Sequence, residues 1–144
     1  MNENIFKESR KAAGLTQAEA AEMLYMSEDK IANFENDKTE PKAGDVVAMA
    51  KAYNDVYLCN KFCTGVCEIG KTEMPKVEEH ELPQLTISIL NSLNLISAET
   101  NRILEIAADG VVTADEQEDF NTILGKLDKI ESTIASLKLW AKKQ

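Results

Sequence analysis

Histidine is nearly absent, and the one present, His80, leaves little means for acid–base catalysis near neutral pH. Cysteine is scarce as well: three residues, an odd number, do not make a closed disulfide framework and fit a reducing compartment. Six glycines and three prolines are too few for a β-rich or disordered chain of 144 residues. Cations are in deficit, 16 Lys and Arg against 25 Asp and Glu, for a net charge of −9. Broad adhesion to nucleic acid or to an anionic membrane is thereby disfavoured, and any nucleic-acid contact must be local. No apolar run approaches the roughly 18 residues that span a bilayer. The start, Met1-Asn2-Glu3-Asn4, is polar, with no basic segment leading into an apolar one. The expectation is a cytoplasmic protein with no membrane association. What the chain does have is Ala, Leu, Ile, Glu and Lys within a 44% hydrophobic composition, and these favour an all-α fold.

Two segments of different pattern meet near residues 68–81, where Gly70, Pro75 and closely spaced charges interrupt the apolar periodicity. The expected division is a domain over 1–67, a charged linker over 68–81 and a second domain over 82–144. Up to Lys76 ten cations face thirteen anions, and beyond it six face twelve, so the first part is closer to neutral.

The first domain reads as five short helices. Gly14 stops the first, and Thr16-Gln17-Ala18-Glu19 is a capping box that starts the second. Ser27 caps a third, with Glu28 and Asp29 in its first turn and Ile31 and Phe34 as its buried pair. Asn36 to Pro41 ends it. Val46, Val47, Met49, Ala50 and Tyr53 line a fourth helix, and Val56 to Phe62 supply a fifth. Two helices joined by a tight turn, the second short and amphipathic, can set a helix in the major groove of DNA.

The run Leu15-Thr16-Gln17-Ala18-Glu19-Ala20-Ala21, followed by Ser27, Ile31, Phe34-Glu35, Lys38 and Pro41, resembles the Xre-type, lambda-repressor-like helix-turn-helix family of bacterial and phage regulators. The resemblance covers about the first half of the chain. It implies a five-helix DNA-binding domain and a sequence-specific transcriptional regulator that binds double-stranded DNA; with few usable cations per copy, a single copy would bind weakly, so a dimer on a two-fold operator is expected. The resemblance also implies roles. Gln17 would bond a phosphate; Ser27, Glu28, Asp29, Lys30 and Asn33 would face the bases; Asn36 and Lys38 would hold the backbone beyond the helix. Lys7, Arg10 and Lys11 would add charge. Glu28 and Asp29 stand where the family often carries Gln, Arg or Ser, and a carboxylate can only accept, for example from cytosine N4. Tyr25 stands where a turn glycine is common. The alternative is a protein-interaction module whose acidic helix docks on a basic surface of another regulator.

In the second domain Leu82, Thr86, Ile89, Leu93, Ile96, Thr100, Ile103 and Ala107 recur at alternating spacings of four and three, a heptad seam. A turn at Asp109-Gly110 and a second capping box, Thr113-Ala114-Asp115-Glu116, lead to a final helix. Its seam is Phe120, Ile123, Leu127, Ile130, Ile134, Leu137 and Ala141. An antiparallel helical hairpin is expected. Leu85, Leu90, Leu104, Ile106, Leu124, Leu139 and Trp140 fall outside these seams, and a second copy would cover them, giving a homodimer through residues 82–143 as a bundle or coiled coil.

Cys59, Cys63 and Cys67 recur every four residues and would share a helix face. Three thiolates need a fourth ligand, such as His80, to hold zinc or an iron–sulfur cluster, and without a Cys-x-x-Cys pair they read as buried, inert thiols. Gly65 to Thr72 satisfies the letter of a phosphate-binding loop, but helix rather than strand precedes it and Pro75 follows. Glu105 to Glu116 faintly echoes a calcium loop, with Ala107 in a ligand position. No nucleophile constellation is present. A non-enzymatic protein without cofactor is expected.

Overall fold

The computed structural model describes residues 4–144, so the expectation drawn from Met1–Glu3 lies outside the described residues. Those residues are helical, with no strand among them, as the all-α reading requires. They fall into two compact units that divide between Lys76 and Val77.

The first unit runs α1 (Ile5–Ala12), α2 (Gln17–Leu24), α3 (Glu28–Glu35), α4 (Ala43–Ala52), α5 (Leu58–Gly65) and α6 (Glu68–Glu73). Each start has a local cause. The Asn4 side chain accepts from the Phe6 and Lys7 amides at 3.0 and 3.3 Å. Its Nδ2 donates to the Phe34 carbonyl at 3.0 Å, so the cap of α1 also ties that helix to α3. At α2 the capping box is complete: Glu19 N donates to Thr16 Oγ1 at 3.2 Å, and Thr16 N donates to Glu19 Oε2 at 2.7 Å. Ser27 Oγ accepts from Lys30 N, and Asp45 Oδ2 accepts from Lys42 N at the start of α4. Gly14, at φ +72°, stops α1 in the left-handed region.

Phe6, Ala20, Phe34, Val46, Met49, Tyr53, Leu58 and Phe62 form the core, each helix from α1 to α5 contributing at least one side chain apart from Tyr53, which sits just past α4. The Phe6 and Phe62 rings lie 6.2 Å apart and tilted. Cys59, Cys63 and Cys67 are half-buried against this cluster.

The expected linker over 68–81 differs in its first part. Residues 68–73 are α6, packed on α5, and the first unit extends to Lys76. Gly70 explains the packing: a Cβ there would stand 2.2 Å from the Cys63 carbonyl oxygen, so only glycine lets the two backbones meet. Asn60 Nδ2 donates to the Pro75 carbonyl at 2.9 Å and fixes the chain beyond. Gly70 reads in sequence as an interruption; its use as a contact surface needs the partner helix in view.

The second unit consists of α7 (Leu82–Ala98), α8 (Thr100–Ala107) and α9 (Gln117–Lys143). Glu99 separates α7 from α8, and Gly110, at φ +77°, turns the chain back. Ion pairs Glu99–Lys126, Arg102–Asp119 and Glu79–Lys143 pair rising with falling residue numbers, so α9 runs antiparallel to α7 and α8. Of the expected second capping box only the return half forms: Thr113 N and Oγ1 donate to Glu116 Oε2 at 3.0 and 2.7 Å, but Glu116 N bonds to the Thr113 carbonyl rather than to its hydroxyl, and α9 begins at Gln117 without a side-chain cap.

The seam of this hairpin matches the expected one only in part: Ile123 is buried and Ile89, Ile96, Ile103, Phe120, Ile130 and Leu137 are partly buried, but other positions differ. Leu85, Ser92 and Ile106 are buried on one side and Ile123 and Ser136 on the other, whereas Leu82 and Leu93 are 40% and 50% exposed. Of the buried residues outside the expected seam, Leu85 and Ile106 are apolar and Ser92 and Ser136 are serines. The small serine side chains let the helices approach, and Ser136 Oγ is satisfied by the Ser132 carbonyl at 2.8 Å. A seam traced through apolar residues alone passes over them.

Candidate nucleic-acid interface

The geometry begins with the turn between α2 and α3. Tyr25 sits at φ 53°, ψ 41°, left-handed. Tyr25 N donates to the Glu22 carbonyl and Met26 N to the Ala21 carbonyl at 3.2 and 2.9 Å, the double closure of a Schellman motif. With the helix stopped so abruptly, Ser27 starts α3 two residues later. Ile31, Phe34 and Glu35 are buried along one face of α3, which leaves Ser27, Glu28, Asp29 and Lys30 exposed and Asn33 half-buried.

Ser27, Asp29, Lys30 and Asn33 line one shallow concavity of about 490 Å³ with Phe34, Thr39, Glu40, Lys42 and Asp45. Its far wall, from the α3–α4 connection and the start of α4, was not expected from sequence. Glu28, Gln17, Asn36 and Lys38 do not line it. The Lys30 ammonium lies 3.5 Å from Asp45 Oδ1 and 5.4 Å from the centre of the Phe34 ring, leaning toward α4. Asn36 Nδ2 donates to the Ala32 carbonyl at 2.8 Å, and the Asn33 carbonyl receives Lys38 N at 2.9 Å, so the exit from α3 is fixed by its own bonds.

A buried polar cluster joins α1, α2 and α3. Arg10 Nε and Nη2 donate to the two oxygens of Glu35, the second at 2.9 Å, and Gln17 Nε2 donates to Glu35 Oε2 at 2.8 Å. Arg10 also donates to the Leu15 carbonyl. Burial pushes the Glu35 carboxyl up, but the bonds from Arg10 and Gln17, with the Arg10 charge, outweigh it and hold the group below the usual value. Tyr53 is pushed up to about 12 by burial and by the Glu35 charge. Arg10 is thus corrected as a source of charge for DNA: it is only 7% exposed and committed to Glu35. Its role could not be read from sequence, since the two residues stand 25 positions apart and each alone looks like a surface charge.

Lys71, the lysine of the loop-like Gly65–Thr72 segment, pairs with Glu68 at 2.7 Å, and α5 rather than a strand precedes it. Asp109 Oδ1 accepts from Val111 N, Glu116 accepts from Thr113 and Glu105 pairs with Arg102, so these three carboxylates of the calcium-like stretch are engaged locally. Among the described residues no three His, Cys, Asp or Glu side chains converge as a metal-holding group, and no helix is long and apolar enough to cross a membrane.

Comparison with known proteins bears on the same region. The helix-turn-helix family model matches residues 6–59. The HTH-type transcriptional regulator ImmR of Bacillus subtilis (strain 168) is 33% identical over 84 residues, covering 57% of this chain and 58% of that regulator. The alignment therefore spans less than two thirds of the relative. No solved structure matches.

Proposed function

We propose that the chain, whose residues 6–59 match the helix-turn-helix family model, is a transcriptional regulator that binds double-stranded DNA sequence-specifically, as a dimer on a two-fold operator. The observation that carries this is the capped, left-handed turn that leaves the first turn of α3 exposed while its opposite face is locked into the core. In this reading Ser27, Glu28, Asp29, Lys30 and Asn33 read base edges, and Gln17, Asn36 and Lys38 hold phosphates. The protein acts by binding rather than catalysis, needs no cofactor, and works in the cytoplasm.

Dimerisation is part of the proposal. Few cations are available per protomer, and each phosphate contact contributes about −0.9 to the salt slope, so one copy alone would bind weakly. The second unit leaves Leu82, Leu90, Leu93 and Leu104 at 40%, 55%, 50% and 64% exposure, an apolar surface that a second copy would cover through residues 82–143. Light scattering is expected to give a dimer. A 16 kDa particle at micromolar concentration overturns that part.

Selection from random duplexes tests the whole. Enrichment of a two-fold motif is expected, with Asn33→Ala changing base preference and Lys38→Ala weakening all sites alike. The competing reading, a module that docks on a basic surface of another regulator, is favoured by one feature: Asp29, Glu40 and Asp45 outnumber Lys30 and Lys42 around the concavity. No enrichment at any salt concentration would select it.

A further inference from the structure

Glu35 closes α3, yet its carboxylate does not face the concavity side chains that would touch bases. It is 4% exposed and takes donors from α1 through Arg10 and from the first residue of α2 through Gln17. Gln17 is half-buried, with one of its two amide hydrogens spent on Glu35 at 2.8 Å. A glutamine side chain free in solvent samples many rotamers, and ordering it on binding costs free energy. Here that ordering is done before any ligand arrives, by an acceptor that is itself clamped through a two-point Arg10 pair. The remaining amide hydrogen and the Gln17 backbone N–H, at the start of α2, are the donors left for an anion.

We infer that Glu35 is a positioning residue for the phosphate contact of Gln17, pre-setting that amide so that α2 meets the DNA backbone in one register. The inference rests on the DNA-binding reading above. It assigns the buried Arg10–Glu35 pair a part in affinity that is separate from its part in holding the helices together. A bond to a phosphate oxygen carries no sequence information, so the effect belongs to all duplexes.

Replacing Glu35 alone would strand the Arg10 charge in the interior, and the domain could fail for that reason. Two double variants avoid this: Arg10→Met with Glu35→Gln, and Arg10→Met with Glu35→Leu. Both remove the buried ions, and both lose the bond to the Leu15 carbonyl. They differ in whether Gln17 still has an acceptor. The probe is a random-sequence duplex, with dissociation constants measured on the full chain after each variant is confirmed folded by circular dichroism. The double variant with Glu35→Gln is expected to bind within about twofold of the unaltered chain, and the one with Glu35→Leu on the order of tenfold more weakly. Adding Gln17→Ala to each should erase the difference between them. Because Gln17 is neutral, the salt slope should stay unchanged throughout, unlike that of Lys38→Ala. Equal binding by the two double variants overturns the inference, as does a difference that persists without Gln17. If the unaltered chain binds no duplex, the DNA-binding reading itself falls and takes the inference with it.

Discussion

The two units handle apolar surface in opposite ways. Among the described residues of the first, eleven hydrophobic side chains are buried and five large ones exposed; in the second, three are buried and ten exposed. Both are helical, and the contrast comes from the number of helices that share a centre. Five short helices crossing one another surround Met49 and Leu58, at 1% and 0% exposure, from every side. A hairpin has only one seam, and what its helices carry elsewhere has nothing within the unit to face. The first unit completes a core with one copy of the chain, whereas the second leaves much of its apolar surface uncovered by its own helices.

The sharpest test of that difference sets a leucine of each unit side by side. Leu58→Ala is expected to cost about 2–5 kcal/mol in thermal or denaturant unfolding, because the cavity it leaves is enclosed. Leu90→Lys with Leu93→Lys should leave helix content nearly unchanged, since both side chains are half-exposed within one chain. It should instead weaken self-association by at least about a hundredfold, taking half of the usual burial gain for each side chain. Sedimentation or light scattering reads the second effect. If the lysine pair unfolds the hairpin without changing the molecular mass, the comparison is wrong about where that surface is used. A smaller effect is expected at Gly70. The methyl group of Gly70→Ala would collide with the Cys63 backbone, so α6 must lift from α5 at a cost of about 1–3 kcal/mol, visible as faster amide exchange over 68–73.

Acid should separate the units too. Glu35 has a folded value below its ordinary 4.5, so the stability it contributes is complete above that pH and is lost as pH falls through the lowered value. The size is limited because burial works against the Arg10 and Gln17 bonds. Unfolding of the first unit on acidification should therefore begin below pH 4.5, and the variant pairing Arg10→Met with Glu35→Leu should shift that onset. An onset identical in both proteins would remove Glu35 as the responsible group.

How much of this could be read in the residues beforehand depended on the range of the interaction. Caps and stops are local, and Thr16 with Glu19, Ser27, and Gly14 all sit where their chemistry requires. The apolar positions of α2 to α4 follow from helical spacing, as Ala20, Ile31, Phe34, Val46 and Met49 demonstrate. What stayed hidden was long-range or depended on smallness: the Arg10–Glu35 pair, the Gly70 contact, the serines of the hairpin seam, and Asp45 drawing Lys30 toward α4. Glu35 and Asp45 matter for the proposed interface, because they hold Gln17 and Lys30, two of the side chains that the proposal gives to DNA.

The smallest expected effect is a gain. Tyr25, Asp37 and Asn54, the non-glycine residues with positive φ among those described, all lie in the first unit, while the hairpin makes its one such turn with Gly110. Asp and Asn tolerate this conformation through local bonding, but a tyrosine brings only the steric penalty, on the order of 1–2 kcal/mol. Its ring returns almost nothing, being 98% exposed. Tyr25→Gly relieves the penalty and keeps the two backbone bonds that close α2, against an unfolded-state entropy cost of about 0.4–1 kcal/mol. A net gain of about 0.5–1 kcal/mol should follow, confined to the melting of the first unit. Because the turn keeps its shape, DNA affinity should not move. A loss of affinity at unchanged fold would mean that the exposed ring itself touches the ligand, and the left-handed tyrosine would then be strain maintained for contact.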